Sequence, residues 1–191
     1  MQPSLLFVPG WQDSGPNHWQ THWHARALAK FGPQCAQRVQ QRDWFHPTRT
    51  EWVDTLSQHI LQLPQPVILI AHSLGCITAV HLPAAVQAKI VGAWFVAPAD
   101  VERAGAPTVL TDFAPIPQQS LPYRSLVVAS DNDPYAQLVR ARGFAQAWGS
   151  ELLELAQAGH INPDGGYGAW ESGWPIFLSW VEHSLSNMKN E

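Results

Sequence analysis

The chain has 191 residues, the length of one domain with room for a sizeable core, so a single domain spanning 1–191 is expected. Eleven lysines and arginines against fifteen aspartates and glutamates give a formal charge of −4 with no basic run, which argues against a nucleic-acid surface. The opening MQPSLLFVPG lacks a basic leader region, no stretch reaches the ~18 apolar residues of a membrane span, and Cys35 and Cys76 are too few for a disulfide framework, so a cytoplasmic protein with no membrane partner is expected.

Short apolar runs alternate with helical patterns along the chain. Ser4–Val8 reads as a strand and Asn17–Lys30 as a helix, with Pro16 just ahead of it where a missing N–H costs nothing. A fainter strand near Ala36–Gln40 precedes a helix over Thr50–Leu63; Pro66–Ala71 is then a strand, Leu74–Val86 a helix and Ile90–Val96 a strand. Ala97–Pro122 is irregular, rich in proline and long enough to fold partly over one side of the molecule. A strand over Ser125–Ala129, a helix over Tyr135–Trp148, a strand over Glu151–Leu155 and a helix over Trp174–Leu185 complete the chain. Strands this short and apolar are usually covered on both faces. Their alternation with helices predicts an α/β three-layer sandwich built on a mostly parallel sheet of about six strands.

In such a sheet ligands sit beyond the carboxyl ends of the strands, so the residues following each strand carry the information. These are Pro9-Gly10-Trp11-Gln12, His72-Ser73-Leu74-Gly75, Ser130-Asp131-Asn132-Asp133 and Ala158-Gly159-His160. Ala71-His72-Ser73-Leu74-Gly75 approximates the G-x-S-x-G turn that lifts a serine on a strained bend between strand and helix. Alanine replaces the first glycine there and is still small.

A serine hydroxyl is a poor nucleophile without a base, and the base needs a carboxylate to fix its tautomer. His160, in a glycine-rich loop after a strand, is the expected base, although any one histidine of nine can simply be satisfied in its loop. His72 adjoins Ser73 and is poorly placed to reach back to its hydroxyl. His18 and His22 are four apart, a spacing that can pair metal ligands on a helix, yet they lack the third ligand of such motifs, and no metal is expected. For the carboxylate, Asp133 before Pro134 is preferred to Asp131, on the expectation that Pro134 opens the next helix; either can instead serve as a cap or turn residue. The oxyanion donors are expected to be the Leu74 N–H and, after the turn at Gly10, the N–H of Trp11 or Gln12.

The stretches LLFVPGWQDSGPNHWQTHW, ILIAHSLG, WFVAPAD, ASDNDP and AGHIN together resemble the small serine hydrolases related to retinoblastoma-binding protein 9 and the bacterial YdeN proteins, within the α/β-hydrolase superfamily. The likeness runs over about residues 4–180 and is most specific at Pro9, Gly10, His18, Trp19, Gln20 and Trp23 and at the APAD following Val96. It implies Ser73 as nucleophile, Asp133 as acid and His160 as base, acting on small esters or amides without a cofactor. It also implies that His18 and Trp19 belong structurally to a helix beside the oxyanion loop.

A carboxylesterase-like enzyme is therefore expected, with an acyl-enzyme formed on Ser73 and released by water that His160 activates. Ten tryptophans hint at a groove, and Trp11, Trp44 and Trp170, with Gly10 and Gln12, are expected to line its mouth. Few residues are left over for a lid, so an open site suited to small substrates is expected. Two other readings use the same chain: a protein-interaction module on a hydrolase fold with little turnover, and acyl transfer to an acceptor other than water. No surface pattern identifies a protein partner.

Overall fold

The computed structural model describes residues 3–187. Six strands form one sheet: β1 (Ser4–Val8), β2 (Ala36–Arg38), β3 (Val67–His72), β4 (Ile90–Val96), β5 (Ser125–Ser130) and β6 (Glu151–Leu155). They lie in the order β2-β1-β3-β4-β5-β6, and every neighbouring pair is parallel. The architecture is an α/β three-layer sandwich on a parallel sheet, as the patterning predicts.

The strands are continuous apolar runs because both sheet faces are covered, and successive side chains enter opposite layers. Leu6 and Val8 of β1, Leu69 and Ala71 of β3 and Phe95 of β4 point to one layer, under α2 (Arg49–Gln62), α3 (Leu74–Val80), α4 (Ala84–Gln87) and α5 (Leu138–Trp148). Leu5, Phe7, Ile68, Ile70, Trp94 and Val96 point to the other, under α1 (Trp19–Phe31) and α6 (Gly173–Asn187). Both clusters consist of fully or nearly fully buried side chains, each worth about 1.5–3 kcal/mol of transfer free energy. The exception is β6, a sheet edge whose Glu151, Leu152 and Glu154 are exposed, so its covering is one-sided at best.

Several boundaries depart from the sequence pattern; α1, expected from Asn17, starts at Trp19 because His18 caps it, so Pro16 lies in the turn ahead of the helix. The helix expected over Leu74–Val86 breaks after Val80 and resumes at Ala84, because Pro83 supplies no N–H and its ring crowds the preceding turn. Pro134 does not open α5: Asp133 Oδ1 accepts the Tyr135 N–H at 2.8 Å in a local turn, and the helix begins only at Leu138. The Ala97–Pro122 segment contains a 3-10 turn, Thr108–Phe113, whose Leu110 and Phe113 are buried in the α2/α5 layer. Those two side chains anchor the segment to that layer. No helix of the described residues is long and apolar enough to cross a membrane.

Candidate active site

Ser73 joins β3 to α3 with φ 54° and ψ −121°, a left-handed conformation costly to a residue with a Cβ. The surroundings hold it there: its N–H donates to Val96 O at 3.0 Å, and its carbonyl accepts from Cys76 N–H at 3.1 Å. Small neighbours are a steric requirement. A Cβ on Gly75 would collide with the carbonyls of Val8 and Pro9, lying 2.6 Å from the latter, and one on Gly10 would lie 2.8 Å from Ser73 Cβ and 2.9 Å from His72 O. Gly10 thus admits the nucleophile turn against the first loop. Cys76, next along α3, is fully buried and its thiol is pushed up by burial, which leaves it inert.

The three strand-end residues meet in a line. His160 Nε2 lies 2.9 Å from Ser73 Oγ, positioned to accept its proton, while His160 Nδ1–H faces both oxygens of Asp133 at 2.9 and 3.0 Å. The histidine side chain is 8% exposed and the aspartate 3%, so the ion pair that forms when the imidazole takes a proton is shielded from water. Asp131 is elsewhere: it is exposed, and its Oδ1 accepts the backbone N–H of Gln157 at 2.7 Å.

That last bond belongs to a set the sequence reading missed. Three successive backbone N–H groups ahead of His160, those of Gln157, Ala158 and Gly159, donate to the side chains of Asp131, Ser130 and Asn132 at 2.7, 2.9 and 2.7 Å. Ser130 Oγ also donates to Asn132 Oδ1 at 2.8 Å. The loop carrying Asp133 and the loop carrying His160 are therefore laced together over the ends of β5 and β6. Ser, Asp and Asn after a strand are the sequence signal for such capping, but their partners 25 residues or more away are not readable.

The first turn of α1 performs a similar task. Gln20 Nε2 donates to Val8 O at 3.2 Å and Ile70 O at 2.9 Å, binding the ends of β1 and β3, and Trp19 Nε1–H donates to Ile161 O at 2.9 Å, beside the base. His72 Nε2–H donates to the carbonyl of His160 at 3.0 Å. The rings of His18, His72 and His160 follow one another at centroid separations of 4.7 and 4.8 Å. Burial, reinforced by neighbouring imidazoles, holds His72 well below the usual histidine range and pushes His18 down to about 3. Both are neutral near neutrality.

Of the two expected donors in the first loop, Gln12 spends its N–H on Trp44 O at 2.9 Å, whereas the Trp11 N–H donates to no group among the described residues. Leu74 is the first residue of α3, where an N–H has no intrahelical acceptor. Trp11 and Gln12 line a cleft of about 480 Å³ over Ser73, closed on one side by Ala99, Arg103 and Leu110 and bordered by Tyr135, whose ring packs edge-on to His160 at 4.5 Å. Three expectations for its mouth are corrected. Gly10 is buried against the Ser73 turn, Trp170 is 7% exposed and lies against Trp23 at 5.1 Å in the α1/α6 layer, and Trp44 backs the first loop, packing on Trp52 at 5.5 Å; none of the three lines the cleft.

A parallel six-stranded sheet with a strained serine at the β3–α3 turn defines an α/β hydrolase, and comparison with known proteins narrows the class. The model of the serine hydrolase family matches residues 5–179, and the chain belongs to that family. It is similar to a YdeN-like hydrolase from Pectobacterium atrosepticum, 36% identical with a TM-score of 0.81, covering 96% of this chain and 92% of that one. YdeN of Bacillus subtilis, described as a hydrolase, is 25% identical over 176 residues, 87% of this chain and 90% of its own length. The carboxylesterase CesB of Bacillus subtilis, 13% identical with a TM-score of 0.62 over 94% of this chain and 83% of its own, shares the fold alone. The YdeN-like resemblance carried by the strand-end motifs is thereby established.

Proposed function

We propose that the protein hydrolyses small carboxylic esters or amides through an acyl-enzyme on Ser73, with His160 as base and Asp133 as its orienting carboxylate. The observation that carries the reading is the unbroken line from Asp133 through His160 to Ser73 Oγ, with both links near 2.9 Å. In this mechanism Ser73 Oγ attacks the carbonyl as His160 takes its proton, and the backbone N–H groups of Leu74 and Trp11 stabilise the oxyanion. His160 returns the proton to the leaving group, then activates a water that releases the acid. No step calls on a cofactor. The modest cleft volume favours small substrates, and Gln12 and Trp11 are the first-loop side chains placed to touch them. The unpaired cysteines, Cys35 and Cys76, suit a reducing cytoplasm.

Labelling by a fluorescent fluorophosphonate, followed by p-nitrophenyl esters of increasing chain length, tests the proposal. Labelling of the native protein that disappears in Ser73→Ala and His160→Ala supports it. A folded native protein that neither labels nor turns over any ester overturns it.

A further inference from the structure

His18 belongs to the HWQ stretch, and its imidazole uses only one of its two nitrogens within the protein. Nδ1 accepts the Gln20 N–H at 3.1 Å as the N-cap of α1, so that nitrogen carries a lone pair and the proton of the neutral ring sits on Nε2. The residue is 6% exposed, packed against His72 and Trp19, and what remains of its surface lines the cleft over Ser73. Among the described residues no acceptor meets Nε2–H, and the atom is not one of the fully buried unpartnered ones, so it opens on the cleft and is free to donate to a molecule held there.

We infer that His18 is a specificity-determining residue, whose Nε2–H donates a hydrogen bond to an oxygen of the substrate near the scissile carbonyl. The inference rests on the acyl-enzyme reading above and deepens it by naming the substrate class: esters carrying an ether, hydroxyl or carbonyl oxygen close to the reacting centre, in preference to plain alkyl esters. A ring of fixed tautomer offers a donor and no acceptor at this point, which suits a neutral oxygen. Burial and the nearby Arg38 cation keep the ring from protonating, so it neither attracts an anion nor supplies a proton.

Matched substrates that exchange one CH2 for oxygen test this. Selectivity is the ratio of kcat/KM for p-nitrophenyl methoxyacetate over p-nitrophenyl butanoate, and for 2-methoxyethyl acetate over butyl acetate, in the wild type and in His18→Asn. Asparagine retains an acceptor for the Gln20 N–H, while its shorter amide ends before the Nε2 position and places no donor there, and dividing the wild-type ratio by the variant's cancels the esters' intrinsic reactivity. The expected result is a fall of about fivefold in at least one ratio, the scale of one neutral hydrogen bond. Equal ratios in wild type and variant for both pairs overturn the inference. His18→Ser, which also caps a helix, gives the same reading if the asparagine variant fails to fold. Fluorophosphonate labelling separates the two levels of failure. Labelled His18→Asn with unchanged ratios defeats only the role of His18, whereas a wild type that does not label defeats the acyl-enzyme reading beneath it.

Discussion

Exchanging each aspartate of the SDND loop for asparagine separates an orienting carboxylate from a loop tie. In Asp133→Asn the side-chain oxygen is held by the Tyr135 N–H, which Asp133 Oδ1 already accepts at 2.8 Å. The new NH2 then faces His160 Nδ1, where both carboxylate oxygens stand within 3.0 Å in the native protein. A donor opposite Nδ1 selects the tautomer with the proton on Nε2, and that nitrogen, 2.9 Å from Ser73 Oγ, no longer accepts the serine proton. Loss of the orienting carboxylate from such an arrangement costs on the order of 10⁴ in kcat, or about 5 kcal/mol in the barrier. In Asp131→Asn the retained oxygen still accepts the Gln157 N–H, the site is exposed, and the expected change in stability is within about 0.5 kcal/mol, with turnover within about threefold of native. The assay is kcat/KM on p-nitrophenyl acetate, with thermal melts to show that both variants are folded. A larger loss from Asp131→Asn, or a folded Asp133→Asn within tenfold of native, would refute the assignment.

Asn132→Ala removes the acceptor of both Gly159 N–H and Ser130 Oγ–H, so a fall in kcat of about tenfold at little-changed KM is expected; stopped-flow kinetics with native-like circular dichroism checks it, and an unaltered kcat would show that the lacing does not position the base. Gly75→Ala forces a methyl group into the carbonyls of Val8 and Pro9, which rigid backbone cannot vacate, so a loss of about 3 kcal/mol or more is expected in urea titrations. Acid stability depends on His18, whose folded pKa of about 3 lies below the unfolded 6.5. The unfolded chain therefore binds the extra proton between those values; the contribution of the neutral ring is complete above pH 6.5 and is lost as pH falls toward 3, at up to about 1.4 kcal/mol per pH unit. His18→Asn is expected to flatten the stability curve by that slope between pH 6 and 4, and parallel curves for variant and wild type would contradict the buried neutral ring. His72, lowered likewise by burial, acts in the same direction and remains in both proteins.

The fold was legible because each buried strand is a run such as Val67-Ile-Leu-Ile-Ala71, whose burial on both faces leaves no polar position to confuse the period. The candidate site was legible because Ser73, Asp133 and His160 each lie in the loop that leaves a strand, and a parallel sheet gathers its strand ends at one edge. The tryptophans misled. Trp23, Trp94, Trp170 and Trp180 fill the layer beneath α1 and α6, where two helices cover a sheet face that four helices cover on the other side, and large rings supply the missing volume. Composition cannot distinguish an indole that fills such a layer from one that lines a cleft. The lacing of Gln157, Ala158 and Gly159 was hidden for another reason: its donors are backbone groups, identical in every residue but proline, and only tertiary geometry reveals them.

The HWQ stretch shows how such hidden ties bring the reacting groups together. Ser73, Asp133 and His160 stand on three separate strand ends, and the hydrogen bond between His160 and Ser73 tolerates little drift in either loop. At the head of α1, Gln20 fastens the end of β1, where the expected oxyanion loop starts, to β3, which leads into Ser73. Trp19 fastens the backbone at Ile161, just after His160, and His72, one residue before Ser73, fastens the backbone of His160 itself. The pull of these bonds converges from the α1 side of the sheet, while the Ser130 and Asn132 side chains hold the base loop from the β5 side. His160 is thus fixed at its own carbonyl, at Ile161 and at Gly159, three successive residues tied to three different elements. Held in this way, His160 is set beside Ser73 by ties within the sheet layers and loops, so the proposed base and nucleophile stay in register without a lid.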